Sequence, residues 1–118
     1  MSYWYMASPY SKYPYGLSSA HLHACRACAL LITAGIPVFS PIVHSHPIAG
    51  LDPLDHDIWM PLDRAMVEAA GGLIVLKLEG WSRSVGVSEE IEWFAEMGKP
   101  IVYMEPGEVP AILLQEGR

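Results

Sequence analysis

A chain of 118 residues that is 52% hydrophobic and 17% charged is long enough to bury one core and too short for two, so a single domain over residues 1–118 is expected. Its formal net charge of −6, with only seven Lys and Arg, excludes a nucleic-acid polymer as partner, because phosphate backbones are gripped by clustered basic side chains. The start Met1-Ser-Tyr-Trp-Tyr has no basic n-region, and no apolar run approaches the roughly 18 residues of a membrane helix, which points to a cytoplasmic protein with no membrane partner.

In chain order, Tyr3 to Ala7 is a short apolar and aromatic run ended by Ser8-Pro9, a strand followed by a loop rich in Tyr, Ser, Pro and Gly. Ser18 or Ser19 can cap a first helix that ends near Ala34, since Gly35 suits the left-handed position after a helix and Pro37 forbids continuation. Cys25 and Cys28 fall in the middle of this helix, where a thiolate gains nothing from a helix N-terminus, so they read as small core residues. Val38-Phe39, within Ile36 to Val43, makes a second strand, and Ser45 to Asp57 is an irregular excursion of the kind that often carries function.

From Trp59 to Ala70 the apolar positions Leu62, Met66 and Ala69/Ala70 recur at helical spacing, with Pro61 accommodated in a first turn and Gly71-Gly72 ending the run. Leu73 to Leu78 is apolar except for Lys77, the mark of a central strand covered on both faces. Ser84 or Ser88 starts a third helix that stops at Gly98 before Pro100; Ile101 to Met104 is a fourth strand, and Val109 to Gln115 a last helical turn or two. The order β-α-β-α-β-α-β-α implies an α/β fold, a doubly wound, flavodoxin-like three-layer sandwich around a parallel sheet of four to five strands.

The segment Gly80 to Glu90 leads out of the central strand and into the third helix, which opens with carboxylates. Open α/β folds place ligands at the carboxyl ends of their strands, so Glu90 is the leading catalytic candidate, held ionised by the helix dipole. A carboxylate there suits attack at an anomeric carbon, a mechanism that also needs a second acid. Asp63, read as beginning the helix before the central strand, is the candidate. Ser82, Arg83 and Ser84 before a helix N-terminus can hold a small anion. Tyr5, Tyr10, Tyr13, Tyr15, Trp59 and Trp81 sit near strand ends or loops, where aromatic faces can sandwich a heterocycle. His44, His46 and His56 line a pocket or cap a helix rather than hold a metal, because their spacing in a Pro-rich loop fixes no tetrahedral geometry. His21 and His23, two apart on a helix, face away from each other. The sequence has no G-x-G-x-x-G and no G-x-x-x-x-G-K-[ST], so neither metal nor cofactor is expected.

Together these residues resemble the nucleoside 2-deoxyribosyltransferase superfamily, which also holds the deoxynucleoside 5′-monophosphate N-glycosidases. The likeness runs from Tyr5 to about Tyr103. It rests on Tyr5-Met-Ala-Ser-Pro-Tyr10, similar to the family's Tyr-hydrophobic-Ala-Gly-Pro-Phe, on Asp63, on Ser84-Val-Gly86-Val-Ser-Glu-Glu90-Ile, similar to Ser-x-Gly-x-x-x-Glu-Leu, and on Gly98-Lys-Pro-Ile101. The resemblance implies that Glu90 is the nucleophile, that Asp63 handles the base or its proton, that Tyr5 orients the nucleophile and that Ser84 contacts a 5′-phosphate. It also implies a substrate loop of Ser8, Pro9 and Tyr10 and a homo-oligomer, dimer or tetramer. The chain departs from the pattern at Ser8, where the family has glycine, at Glu92, and at Gly71-Gly72. Gly80-Trp-Ser-Arg and Ser40-Pro-Ile-Val-His-Ser-His-Pro look closer to a bacterial and phage branch.

The expectation is therefore an N-glycosyl-bond enzyme acting on a nucleoside or, preferentially, its 5′-monophosphate through a ribosyl-enzyme intermediate. A non-catalytic nucleotide-binding module and a metal-dependent hydrolase built on the His44/His46/His56 loop stand as alternatives.

Overall fold

The computed structural model describes residues 2–116; Met1, Gly117 and Arg118, the ends of the expected domain, lie outside the described residues. Over these residues the chain runs β1 (Trp4–Ala7), α1 (Leu17–Thr33), β2 (Val38–Phe39), α2 (Pro41–Ser45), α3 (His56–Ala69), β3 (Gly72–Leu76), a 3-10 turn (Trp81–Arg83), α4 (Val85–Glu96), β4 (Ile101–Met104) and α5 (Ala111–Glu116). The described strands pair in parallel in the order β2-β1-β3-β4, with Tyr5 beside Leu73 and Leu73 beside Ile101. This is the α/β fold read from the sequence.

Every residue of β1 and β3 is buried, as a central pair covered on both faces requires. The strand pleat sends alternate side chains to opposite layers. Trp4, Met6, Ile74 and Leu76 pack on the layer that holds α1, Ile42 of α2 and Leu113 of α5. Tyr5, Ala7, Leu73 and Val75 pack on the other, against Val67 of α3 and Val87 and Phe94 of α4. The helix α1 buries Ala20, Ala24, Ala27, Cys28 and Leu31, and the small side chains let its backbone approach the sheet. Both cysteines are free, and burial pushes the Cys28 thiol up to about 11, which leaves it an inert core residue.

Helix boundaries differ from the sequence expectation where capping side chains were overlooked. Ser40 Oγ accepts from the Val43 N–H at 3.2 Å and Pro41 occupies the first position, so a short α2 replaces the extended chain expected up to Val43. Asp55 Oδ1 accepts from the Asp57 and Ile58 N–H groups, so α3 starts at His56 rather than Trp59. Pro61 consequently lies inside the helix, where it removes one backbone donor, and Asp63 sits mid-helix rather than at its start. α1 starts at Leu17, capped by Gly16 with no side-chain bond, so Ser18 and Ser19 fall in its first turn. Its end is as read: the Ile36 N–H reaches back to the Leu31 carbonyl around Gly35, whose φ is 82°. Ser84 caps α4 by accepting from the Val87 N–H at 3.3 Å. Glu89, Glu90 and Glu92 thus lie beyond the first turn, which holds no acid.

At Gly72 the first residue of β3 meets the Trp4 ring of β1. A Cβ there would lie 2.5 Å from Trp4 Cζ3 and 2.9 Å from the Pro100 carbonyl oxygen, both fixed by core and backbone. At the adjacent Gly71 a Cβ would meet the Ser2 hydroxyl at 2.5 Å, the end of an exposed side chain that can swing away. Gly72→Ala is therefore expected to destabilise the fold by about 1–3 kcal/mol, the usual cost of overpacking, and Gly71→Ala much less. Thermal unfolding of the two variants side by side checks this.

Candidate active site

The chain leaves β1 toward β2 on one side and returns to build β3 and β4 on the other. The carboxyl ends of β1 and β3 thus flank a crevice at the point where the winding reverses. Two adjoining cavities occupy it. One, of about 240 Å³, lies between the loop after β1 and the loop after β3, walled by Pro9, Lys12, Glu79, Gly80 and Arg83 among others. The second, of about 220 Å³, is walled by Ser8, Trp59, Met60, Asp63, Gly86 and Glu90 together with residues of α2. Tyr10, Ser11 and Ser84 belong to both.

At the second cavity the Tyr5 hydroxyl donates to Glu90 Oε2 at 2.5 Å. Tyr5 is fully buried, with its ring against Phe39 and Phe94. Burial and the Glu90 charge raise its phenol far above the ordinary tyrosine value, so it remains a donor. Glu90 keeps some accessible surface, yet burial around its carboxyl, together with the charges of Asp63 and Glu89, pushes it up to about 8 against the opposing effect of the Tyr5 bond. Asp63 is pushed up to about 6 by burial, with His44 and His56 pulling the other way. The expectation of a glutamate held ionised by a helix N-terminus is thereby corrected: Ser84 starts the helix too early, and desolvation governs. What results is a carboxyl pair with its two titrations pushed apart, Asp63 giving up its proton before Glu90.

The structure brings Tyr5, Ser8, Tyr10, Trp59, Asp63, Ser84, Gly86 and Glu90 to one cavity or its wall, and Pro9 and Arg83 to the neighbouring one. The Trp59 indole donates to the Asp52 carbonyl at 2.8 Å, which pins the ring. The Tyr10 hydroxyl bonds His46 Nδ1, so His46 stands behind the wall rather than in it. Its ring stacks on His21 with centroids 4.3 Å apart, a partnership invisible in the spacing of His21 and His23. His44 is exposed and leans on Phe39. Trp81 packs against Tyr103 and beneath Lys77, and Ser82 is exposed; neither lines either of these two cavities. Tyr15 is exposed and bonds Glu79. Among the described residues no group of three His, Cys, Asp or Glu side chains is placed to hold a metal ion.

Sequence reasoning missed Lys12, Ser45 and Met60 as wall residues, whereas His56, read as lining a pocket or capping a helix, does line the second cavity. The signal was present in the caps: once Asp55 starts α3, His56, Trp59, Met60 and Asp63 follow at helical spacing and share one face.

These features define an α/β protein with a crevice at the reversal point of a parallel sheet and a tyrosine-bonded glutamate and an aspartate in that crevice. The chain belongs to the family described as Domain of unknown function (DUF1937), whose model matches residues 2–106. Among solved structures it is similar to the 2-deoxyribosyltransferase of the psychrotolerant bacterium Bacillus psychrosaccharolyticus, described as a biocatalyst for the synthesis of antiviral and antitumoral nucleosides. The TM-score is 0.64 at 20% identity, over 95% of this chain and 79% of that one. At that identity the shared property is the fold. No curated protein matches the sequence.

A carboxyl whose folded value lies above its unfolded one binds more protons when folded, so its contribution to stability falls as pH rises between the two values. For Glu90 that window runs from the ordinary 4.5 to about 8. Glu90→Gln, which still offers Tyr5 an acceptor, should melt above the wild type by a margin that grows from pH 4.5 to about 8 and then levels. Melting curves across this range check the sign; a margin independent of pH would remove the buried-carboxyl account.

Proposed function

We propose that this protein cleaves the N-glycosyl bond of a nucleoside 5′-monophosphate, with a nucleoside as the second substrate class. The observation that carries the reading is the Tyr5-bonded Glu90 sharing a cavity with Asp63. With one proton on the pair, the reactive tautomer carries it on Asp63, the less populated arrangement given the higher value of Glu90, and the free oxygen of ionised Glu90 attacks C1′. The C1′–N bond breaks with its electrons passing to the base, and Asp63 gives that base a proton. Asp63, now a carboxylate, takes a proton from water as the water attacks C1′, releasing the pentose and Glu90; a second base in place of water would complete a transfer. Tyr5 holds Oε2 and stabilises the ionised form.

The preference for a 5′-phosphate is supported by the first cavity. Arg83 and Lys12 bring two cations to it against the single carboxylate of Glu79. Ser84 lies where the cavities join; its oxygen accepts from the Val87 N–H, leaving its own proton to donate. An anion there also faces the N-terminus of α4. A two-part ligand, phosphate on one side and glycosyl bond on the other, matches two adjoining cavities of about 240 and 220 Å³. A homo-oligomer belongs to the same reading and would cover the exposed Leu22, Leu30 and Ile32 of α1.

The upward shift of Glu90 favours a second reading, a nucleotide-binding module that leaves the bond intact. Chromatography separates the two. Wild type should release free base from nucleoside 5′-monophosphates, and Glu90→Gln should lose roughly a thousandfold or more in rate, as for removal of a covalent nucleophile. Nucleotides that raise the melting temperature of both proteins equally, with no base released, would establish the binding module instead.

The active form carries one proton on the pair, whichever carboxyl holds it, so kcat/KM should follow a bell with flanks near the values of about 6 for Asp63 and about 8 for Glu90. In Asp63→Asn the alkaline limb should vanish. The remaining rate should rise to a plateau with a midpoint below about 8, because the Asp63 charge that raises Glu90 is gone. A pH–rate series on both proteins tests this, and an unchanged bell in Asp63→Asn would remove Asp63 from the chemistry.

A further inference from the structure

One buried polar group takes no part in the chemistry above. Ser8 follows directly on β1 and is 7% exposed, and its Oγ has no hydrogen-bond partner among the described residues. It lines the same cavity as Glu90 and Asp63, and the cavity next door is walled by Pro9 and its neighbours without it. Buried hydroxyls are ordinarily bonded, and one without a partner among the described residues is free to meet a ligand group. An alanine would occupy this position without that penalty, so packing does not account for the serine.

Several of the other polar groups of the wall are already engaged, with Ser11, Ser45 and His56 remaining. Tyr10 is bonded to His46, Ser84 Oγ caps α4, and the two carboxyls are engaged in the reaction. A hydroxyl both donates and accepts, so its natural counterpart is another hydroxyl. The place of Ser8, on the carboxyl side of the crevice and outside the cationic cavity, sets it beside the sugar whose glycosyl bond is broken rather than beside the phosphate.

We infer that Ser8 reads a ring hydroxyl of the pentose, so that this protein discriminates a hydroxylated sugar from its deoxy analogue. The identification of the ring rests on the glycosidic reading; the unpartnered hydroxyl does not. A site built to bond a substrate hydroxyl rejects the analogue that lacks it, because its own polar group is then left unpaired.

The test is a calorimetric titration of wild type, Ser8→Ala and Ser8→Cys with adenosine and cytidine 5′-monophosphates and with their 2′-deoxy and 3′-deoxy counterparts. Without ligand, Ser8→Ala should melt at or above the wild-type temperature, since no bond is lost. Wild type should bind the ribonucleotide roughly ten- to hundredfold more tightly than one of the deoxy analogues, the worth of one hydrogen bond with its desolvation. Ser8→Ala should erase that difference by weakening the ribonucleotide alone, and the analogue concerned identifies the 2′ or the 3′ hydroxyl. Ser8→Cys, of nearly the same volume, should do the same if the loss is of bonding rather than of shape. A loss equal across all sugars, a loss that follows the base, no loss, or no binding by any of the nucleotides would overturn the inference. Base release by wild type but not Glu90→Gln is scored in parallel: sugar-selective loss in Ser8→Ala with no base released would retire the glycosidase and retain Ser8 as the sugar-reading residue.

Discussion

The hydrogen bond from Tyr5 to Glu90 ties the central strand of the sheet to the helix that roofs the crevice. Tyr5 is fully buried, and its ring lies between Phe39 of β2 and Phe94 of α4. A phenol in that position needs an acceptor. Glu90, one turn before Phe94 on α4, supplies it. The same contact that completes the core therefore delivers a carboxyl to the mouth of the crevice, and the core's dryness sets that carboxyl's ionisation. Core packing and carboxyl ionisation meet in a single bond of 2.5 Å.

The remaining architecture keeps that bond where a ligand can reach it. Parallel β1 and β3 are adjacent but their crossovers leave in opposite directions, which opens the crevice between their carboxyl ends. Close approach holds the pair together: α1 presents alanines and Cys28 to the sheet, and Gly72 leaves room for the Trp4 ring. On the far side of the crevice, α3 offers His56, Trp59, Met60 and Asp63 from one face. Asp63 is thereby set in the same desolvated space as Glu90, and its charge makes Glu90 harder to ionise. Desolvation of both carboxyls and that added charge leave the pair holding one proton near neutrality.

Much of this was legible in the chain. The apolar runs at Trp4–Ala7 and Gly72–Leu76, the breaks at Gly35 and Gly98, and the alternation of strands and helices implied a parallel α/β sheet with its ligands at the strand ends. The likeness to the deoxyribosyltransferase superfamily pointed to the fold seen here. The errors were local and share a cause. Ser40 and Asp55 are capping residues in Pro-rich surroundings, and without weighing their side-chain oxygens α2 disappears and α3 begins late. Those omissions misplaced Asp63 at a helix start and hid Ser45 and Met60. The placement of Glu90 in a first turn failed likewise, because Ser84 rather than Ser88 caps α4.

By itself the sequence determined what depends on order along the chain: which segments are apolar enough to be central strands, where glycine and proline end helices, and which side chains can carry acid chemistry. Those properties are local, written in hydrophobic period and capping chemistry. Only the tertiary structure decided how the acids behave. That Glu90 is raised rather than held ionised, that Tyr10 leans on a stacked His46 and His21, that Trp81 packs against Tyr103 instead of lining the crevice, and that Ser8 keeps a buried hydroxyl without a partner all follow from the exclusion of water between segments tens of residues apart. Desolvation belongs to the packed assembly of β1, α3 and α4, and no stretch of residues carries it alone.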